Sequence, residues 1–161
     1  MRTESALKKN KTVRASMPYQ QAMNIGLIFT VEDKEKHQDI KDFITRLQQD
    51  GKSVKVLEFL PEKRENYEFK FDFFTIEELS FWGNINSEAA NTFANEAFDY
   101  LFYIDRTSNP LILHLLARSK AHCRVGKFND AERQYFELMI EQNGSNRDLI
   151  NNMYNYTTKL R

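Results

Sequence analysis

The sequence predicts a three-layer α/β domain of Rossmann-like type, with a mostly parallel sheet of five to six strands and helices on both faces. Three observations lead there. Short, continuous apolar runs recur at residues 25–31, 54–60 and 98–104, as expected of strands buried on both sides. Stretches of helical period separate them, the pattern of strand–helix–strand crossovers. At 161 residues, the chain is long enough to bury a full core without disulfides or metals.

The elements follow in order. Residues 1–24 read as a basic leader, loosely ordered or a short helix, ahead of a single α/β domain over 25–161. Residues 25–31 (IGLIFTV) form the first strand, and Gly26 inside it marks the close approach of a neighbour. Glu32 and Asp33 open a helix whose Ile40, Phe43, Ile44 and Leu47 make one apolar stripe; Gly51 is the expected stop. Residues 54–60 (VKVLEFL) are the second strand, ended by Pro61. Residues 69–74 (FKFDFF) alternate aromatic and charged, as in a half-exposed strand near a sheet edge. Thr75 with Glu78 reads as a capping box on a short turn of helix. Asn86 or Ser87 starts the next helix, with Ala89, Ala90, Phe93, Ala94 and Ala97 on one face. The fourth strand spans 98–104. Ser108 or Asn109 caps a well-buried helix that has Pro110 where the first turn tolerates it. Residues 121–126 and 135–141 are the last two strands, and Ser145 or Asn146 starts the closing helix. Right-handed crossovers then place the first strand centrally, between the second and the fourth. The order of strands reverses between strands one and four, where a ligand crevice is expected.

Composition narrows the classes of function. The formal net charge is zero, yet residues 1–24 hold five basic side chains and one acid, which leaves the remainder mildly acidic. An acidic body is a poor nucleic-acid platform, so no nucleic acid is expected. One cysteine, Cys123, excludes a disulfide framework and fits the reducing cytoplasm. No window approaches 18 apolar residues, so no transmembrane segment is expected.

Candidate chemistry is sparse. The five glycines are scattered, whereas a dinucleotide site needs them clustered against the pyrophosphate. His122 and Cys123 point to opposite sides of a strand and cannot share a metal. No metal and no cofactor are therefore expected, and no catalytic residue can be named. What converges at the reversal is Asp33 with Asp105, Arg106, Thr107, Ser108 and Asn109. Free N–H groups at a helix start, beside a guanidinium and hydroxyls, suit an anion; helix capping explains the same residue types without a ligand. The aromatic group Phe69, Phe71, Phe73, Phe74, Phe81 and Trp82 is the least ordinary feature. Rings left uncovered near a sheet edge mark a partner surface.

The phrases IGLIF, GKSVKVLEFL, FDFFTIEELSFWG, FDYLFYID, ARSKAHCRVGKF and YFELMIE together resemble a family of small bacterial α/β proteins, mostly from Bacteroidetes, defined as a domain of unknown function. The match covers residues 25 to about 160. That resemblance implies the fold and brings no catalytic residues. The stretch from FDYLFYID to ARSKAHCRVGKF is also similar to a strand–helix–strand unit in the N-terminal domain of heptosyltransferase-like glycosyltransferases, an architectural likeness that implies no transferase activity. The expectation is thus a cytoplasmic, non-catalytic interaction or assembly module that engages a protein partner or a second copy. The alternative is a small enzyme or anionic-ligand binder using the crevice beyond strands one and four.

Overall fold

A computed structural model of the chain describes residues 3–161 except Phe69. Six strands form one all-parallel sheet: β1 Asn24–Thr30, β2 Ser53–Phe59, β3 Asp72–Phe74, β4 Tyr100–Tyr103, β5 Cys123–Lys127 and β6 Leu138–Ile140. Their spatial order is β3-β2-β1-β4-β5-β6. The first strand is central, between β2 and β4, as the apolar runs predict. The helices are α1 Thr3–Lys9, α2 Lys34–Gln49, α3 Glu88–Asn95, α4 Pro110–Arg118 and α5 Asn146–Thr158. Single 3-10 turns lie at Tyr19–Gln21 and Ile76–Glu78, and a longer one at Asp130–Tyr135.

Alternation along the strands divides the core in two. Ile25, Leu27 and Phe29 join Ile40, Phe43 and Leu47 of α2 and Leu149, Ile150 and Met153 of α5 on one face. Ile28, Leu57 and Leu101 join Ala90 and Phe93 of α3 and Ile112, Leu115 and Leu116 of α4 on the other. These are the helical layers expected from the crossovers.

The helix starts fall where side-chain caps allow. Asp33 accepts from the Lys36 N–H at 2.8 Å, Ser87 from Ala90 at 3.1 Å, Asn109 from Leu111 at 3.0 Å and Ser145 from Asp148 at 3.1 Å. Glu78 accepts from the Thr75 N–H at 2.9 Å, as the expected capping box requires. Gly51, at φ +82°, sits past the end of α2 in the left-handed conformation glycine tolerates.

The last four strands are shorter than the runs that predict them: β4 is Tyr100–Tyr103 within 98–104, β5 starts at Cys123 rather than at 121, and β3 and β6 keep three residues each. β3 pairs with β2 only over Asp72–Phe74. Before it, Asn66 Oδ1 accepts from the Glu68 N–H at 3.0 Å and Glu68 Oε1 from the Lys70 N–H at 3.1 Å. Those local bonds replace a ladder. Tyr135 belongs to the 3-10 turn rather than to β6, because Asn129 caps that turn through the Ala131 N–H.

Candidate functional site

The reversal of strand order falls between β1 and β4. Beyond the carboxyl ends of these strands lies a cleft of about 610 Å³, lined by Thr30, Glu32 and residues 105–110. The sequence reading placed Asp105, Arg106, Thr107, Ser108 and Asn109 here, and the fold brings them together.

Behind the cleft wall, at Asp105 and Thr30, lies a buried ion pair that sequence reasoning missed. Lys36 reaches back from the first turn of α2 with only 1% of its surface exposed. Its ammonium donates to Asp105 Oδ1 at 2.6 Å, to the Thr30 carbonyl at 2.8 Å, and pairs with Glu32 Oε2 at 2.8 Å. An ammonium has three N–H donors, so all three are engaged. Asp105 also accepts from the Thr30 N–H at 2.9 Å and from Thr30 Oγ1 at 2.7 Å. Asn109 Nδ2 donates to Thr30 Oγ1 at 3.0 Å while its Oδ1 caps α4. Tyr103 accepts from the Asn109 N–H at 2.8 Å; burial, then the Asp105 charge, pushes its phenol well above the ordinary range.

This network joins β1, β4, α2 and α4 at one point. A buried pair is tolerable only when hydrogen bonds offset its desolvation. It leaves no free amine: Lys36 is held as a positioning group, and the Asp105 carboxylate already accepts three hydrogen bonds, two on Oδ1 and one on Oδ2. The Glu32–Lys36 spacing of i, i+4 was the one local signal that could have revealed the lysine.

The other predicted residues are placed as follows. Asp33 caps α2 and lines a separate hollow of about 160 Å³ with Arg106, Ser145 and Asn146, so it does not face Asp105 across the 610 Å³ cleft. Arg106 donates to the Gly144 carbonyl at 3.3 Å, and Ser108 donates to Glu132 at 2.8 Å. The cleft lining thus carries charges of both signs, with Glu32 and Asp105 acidic and Arg106 basic.

The aromatic group separates into two sets. Phe74 is buried against Phe59, ring centroids 5.1 Å apart. Phe71 packs on His37 at 5.6 Å. Phe69 lies outside the described residues. Phe73 is 42% exposed, Phe81 94% and Trp82 71%. Phe81 and Trp82 stand edge to face at 5.4 Å on the tip of a small hairpin. Its base is fixed by the antiparallel Leu79–Ile85 bridge and by Ser80 donating to the Asn84 carbonyl at 2.7 Å.

Two further polar groups, Cys123 and His114, are buried. Burial raises the Cys123 thiol to about 11, the opposite of an activated nucleophile. His114 is buried and hydrogen-bonded to Thr3 Oγ1 at 3.2 Å. Among the described residues, no three His, Cys, Asp or Glu side chains converge as a metal cage would require. No helix among them is long and apolar enough to cross a membrane.

Among curated proteins, none matches the chain. The model of a family of unknown function, DUF6913, matches residues 1–160, and the chain belongs to that family.

Proposed function

We propose that the chain is a non-catalytic binding module that holds a protein partner on the aromatic tip of its 79–85 hairpin. The observation that carries this reading is the exposure of Phe81 and Trp82 together, 94% and 71%, on a turn closed by its own backbone bonds. A backbone fixed before association loses little entropy on binding, and tryptophan is enriched among residues that dominate binding energy. Phe73 on edge strand β3 and Ile76 in the turn after it are each about two-fifths exposed as well. The partner surface that fits is an apolar pocket able to take two rings.

The strand-end centre supports a non-catalytic role, because its lysine and aspartate are engaged with each other and with Thr30. The buried, unactivated Cys123 suits a reducing cytoplasm.

The test is site-specific photocrosslinking. A photoreactive phenylalanine at position 81, expressed in the native host, should give one dominant crosslinked protein, identified by mass spectrometry. Trp82→Ser should remove that product while leaving thermal stability within about 0.5 kcal/mol of wild type, as for other exposed substitutions. Sedimentation velocity on the purified chain tells a second copy from a different protein. Absence of a dominant product, or its persistence in Trp82→Ser, sinks the reading.

A further inference from the structure

We infer that the cleft between α1 and α4, separate from the aromatic tip and from the strand ends, binds a small organic polyanion: a molecule with two or more phosphate or carboxylate groups beside an apolar part. The cleft has a volume of about 820 Å³, within the range of small-molecule sites.

Its charge is of one sign. Lys9 and Lys11 stand on one wall, Arg118 and Lys120 on the other, and no lining residue is acidic. Yet the chain as a whole has 23 basic and 23 acidic side chains. Among the described residues, none of the four cations lies within 4.0 Å of a carboxylate; the ion pairs of the molecule are formed elsewhere. The Arg118 guanidinium is half-buried and donates to Asn91 Oδ1 at 2.8 Å. A neutral amide orients that group without neutralising it, and burial lowers its pKa accordingly. Uncompensated positive charge between low-dielectric walls concentrates field and favours an anion.

The two walls are also fixed to each other in advance. Asn10, next to Lys9 and Lys11, donates through Nδ2 to the Ala117 and Ser119 carbonyls at 3.0 and 2.8 Å. Its Oδ1 accepts from the Thr12 N–H at 3.0 Å and from Thr12 Oγ1 at 2.7 Å. One asparagine therefore pins the segment with two lysines onto the end of the helix that leads into Arg118 and Lys120. Mutual repulsion among the cations is held in place by hydrogen bonds rather than relieved by acids. Charge arranged this way stabilises an incoming anion without reorganisation. Ala6 and Ile85 line the same cleft and give an apolar moiety a surface. His114, which burial and then Arg118 hold below its ordinary pKa, supplies a neutral imidazole. Several separated cations around an apolar floor call for multiple anionic groups on an organic frame, rather than a single inorganic anion.

Isothermal titration on the full chain at low ionic strength tests this with three probes: pyrophosphate, citrate and metal-free ATP. At least one should bind with one site per chain. Lys9→Glu and Lys120→Glu, both exposed, should each weaken it about tenfold or more. Arg106→Glu, in the 610 Å³ cleft, should change it less than about twofold. The two reversals lie on opposite walls, so Lys120→Glu still tests the site if Lys9→Glu loosens α1. No heat from any probe at millimolar concentration overturns the proposal. So does binding insensitive to both reversals, or binding lost in Arg106→Glu. A single-stranded oligonucleotide that binds more tightly than ATP at the same salt would replace the small-molecule ligand with nucleic acid. Loss of polyanion binding leaves the Trp82-dependent crosslink untouched, so the two readings fail separately.

Discussion

Glu58 is fully buried in β2, and neither carboxylate oxygen has a hydrogen-bond partner among the described residues. By strand alternation it shares the α2 face with Val54 and Val56, beside Phe29 of β1. Burial first, and the Glu68 carboxylate second, raise its pKa from 4.5 to about 7. The consequence for stability has a definite sign. Below the unfolded value both states hold the proton, and the group costs nothing electrostatically. Between about 4.5 and 7 the folded state binds more protons than the unfolded, so stability falls as pH rises, and above that range the whole penalty remains. The shift corresponds to roughly 3 kcal/mol. Glu58→Gln keeps the shape and removes the ionisation. Its melting temperature should match wild type near pH 4.5 and exceed it by several degrees at pH 8, at ~2–4 °C per kcal/mol for a chain of this size; a difference independent of pH refutes the assignment. In the sequence the acid inside VKVLEFL is visible, but its isolation is not. That depends on which side chains pack over this face of β2 in the folded chain. The same reasoning applies to Lys36, a residue typical of an exposed helix face that the fold turns inward to Asp105.

At the scale of elements, sequence and structure agree where the signal is local. Asp33, Ser87, Asn109 and Ser145 cap helices because a short oxygen-bearing side chain reaches an N–H two or three residues on, whatever the tertiary context. Gly26 also holds to its reading: a Cβ there would meet the Phe98 ring at 2.8 Å. Where tertiary contact decides, the pattern misleads. The aromatic alternation of 69–74 extends further than the pairing of β3, because the Asn66 and Glu68 side chains accept from the backbone ahead of it. The run 135–141 conceals a 3-10 turn that brings Phe136 onto β5. Gly126 is the position that allows it: a Cβ would lie 2.4 Å from Phe136 Cε1. The ring is backed by Tyr103, stacked at 6.2 Å, and by Tyr135 at 6.5 Å, so it cannot retreat. Gly126→Ala should therefore destabilise by about 1–3 kcal/mol, the usual cost of overfilling a packed core. Phe136→Leu in the same chain should cost less than the sum of the two single changes when both are measured by urea unfolding. Strict additivity would mean that the ring is free to move.

Across the whole molecule, the two ends of the sheet are treated differently. The carboxyl ends of β1 and β4 open into a cleft, while residues 10–17 run along the amino ends of β4 and β5. Ala15 donates to the His122 carbonyl at 3.0 Å, Arg14 to the Ala121 carbonyl, and Tyr100 to the Met17 carbonyl. Ser16 Oγ lies 3.8 Å from Cys123 Sγ. These anchors join residues about a hundred positions apart and have no periodicity, so hydrophobic patterning cannot register them; the basic character of the segment was the only sign it offered. Its removal has two separable effects. Loss of six hydrogen bonds to the rest of the fold, from Thr3–His114, Asn10 to Ala117 and Ser119, Arg14–Ala121, Ala15–His122 and Tyr100–Met17, at ~1 kcal/mol each, should lower the unfolding free energy of a chain starting at residue 18 by up to about 6 kcal/mol. Independently, Cys123, the first residue of β5, loses its neighbour. In the intact chain its thiol is fully buried and raised to about 11, so it should react with a disulfide reagent only as fast as the molecule opens. In the shortened chain it should react under native conditions, at a rate that added urea well below the unfolding midpoint does not change. If truncation lowers stability but the thiol still reacts only through global opening, the segment braces the fold without covering the sheet end. If reactivity rises with stability intact, it is a cover alone. The hydrogen bonds and the buried sulfur together require both.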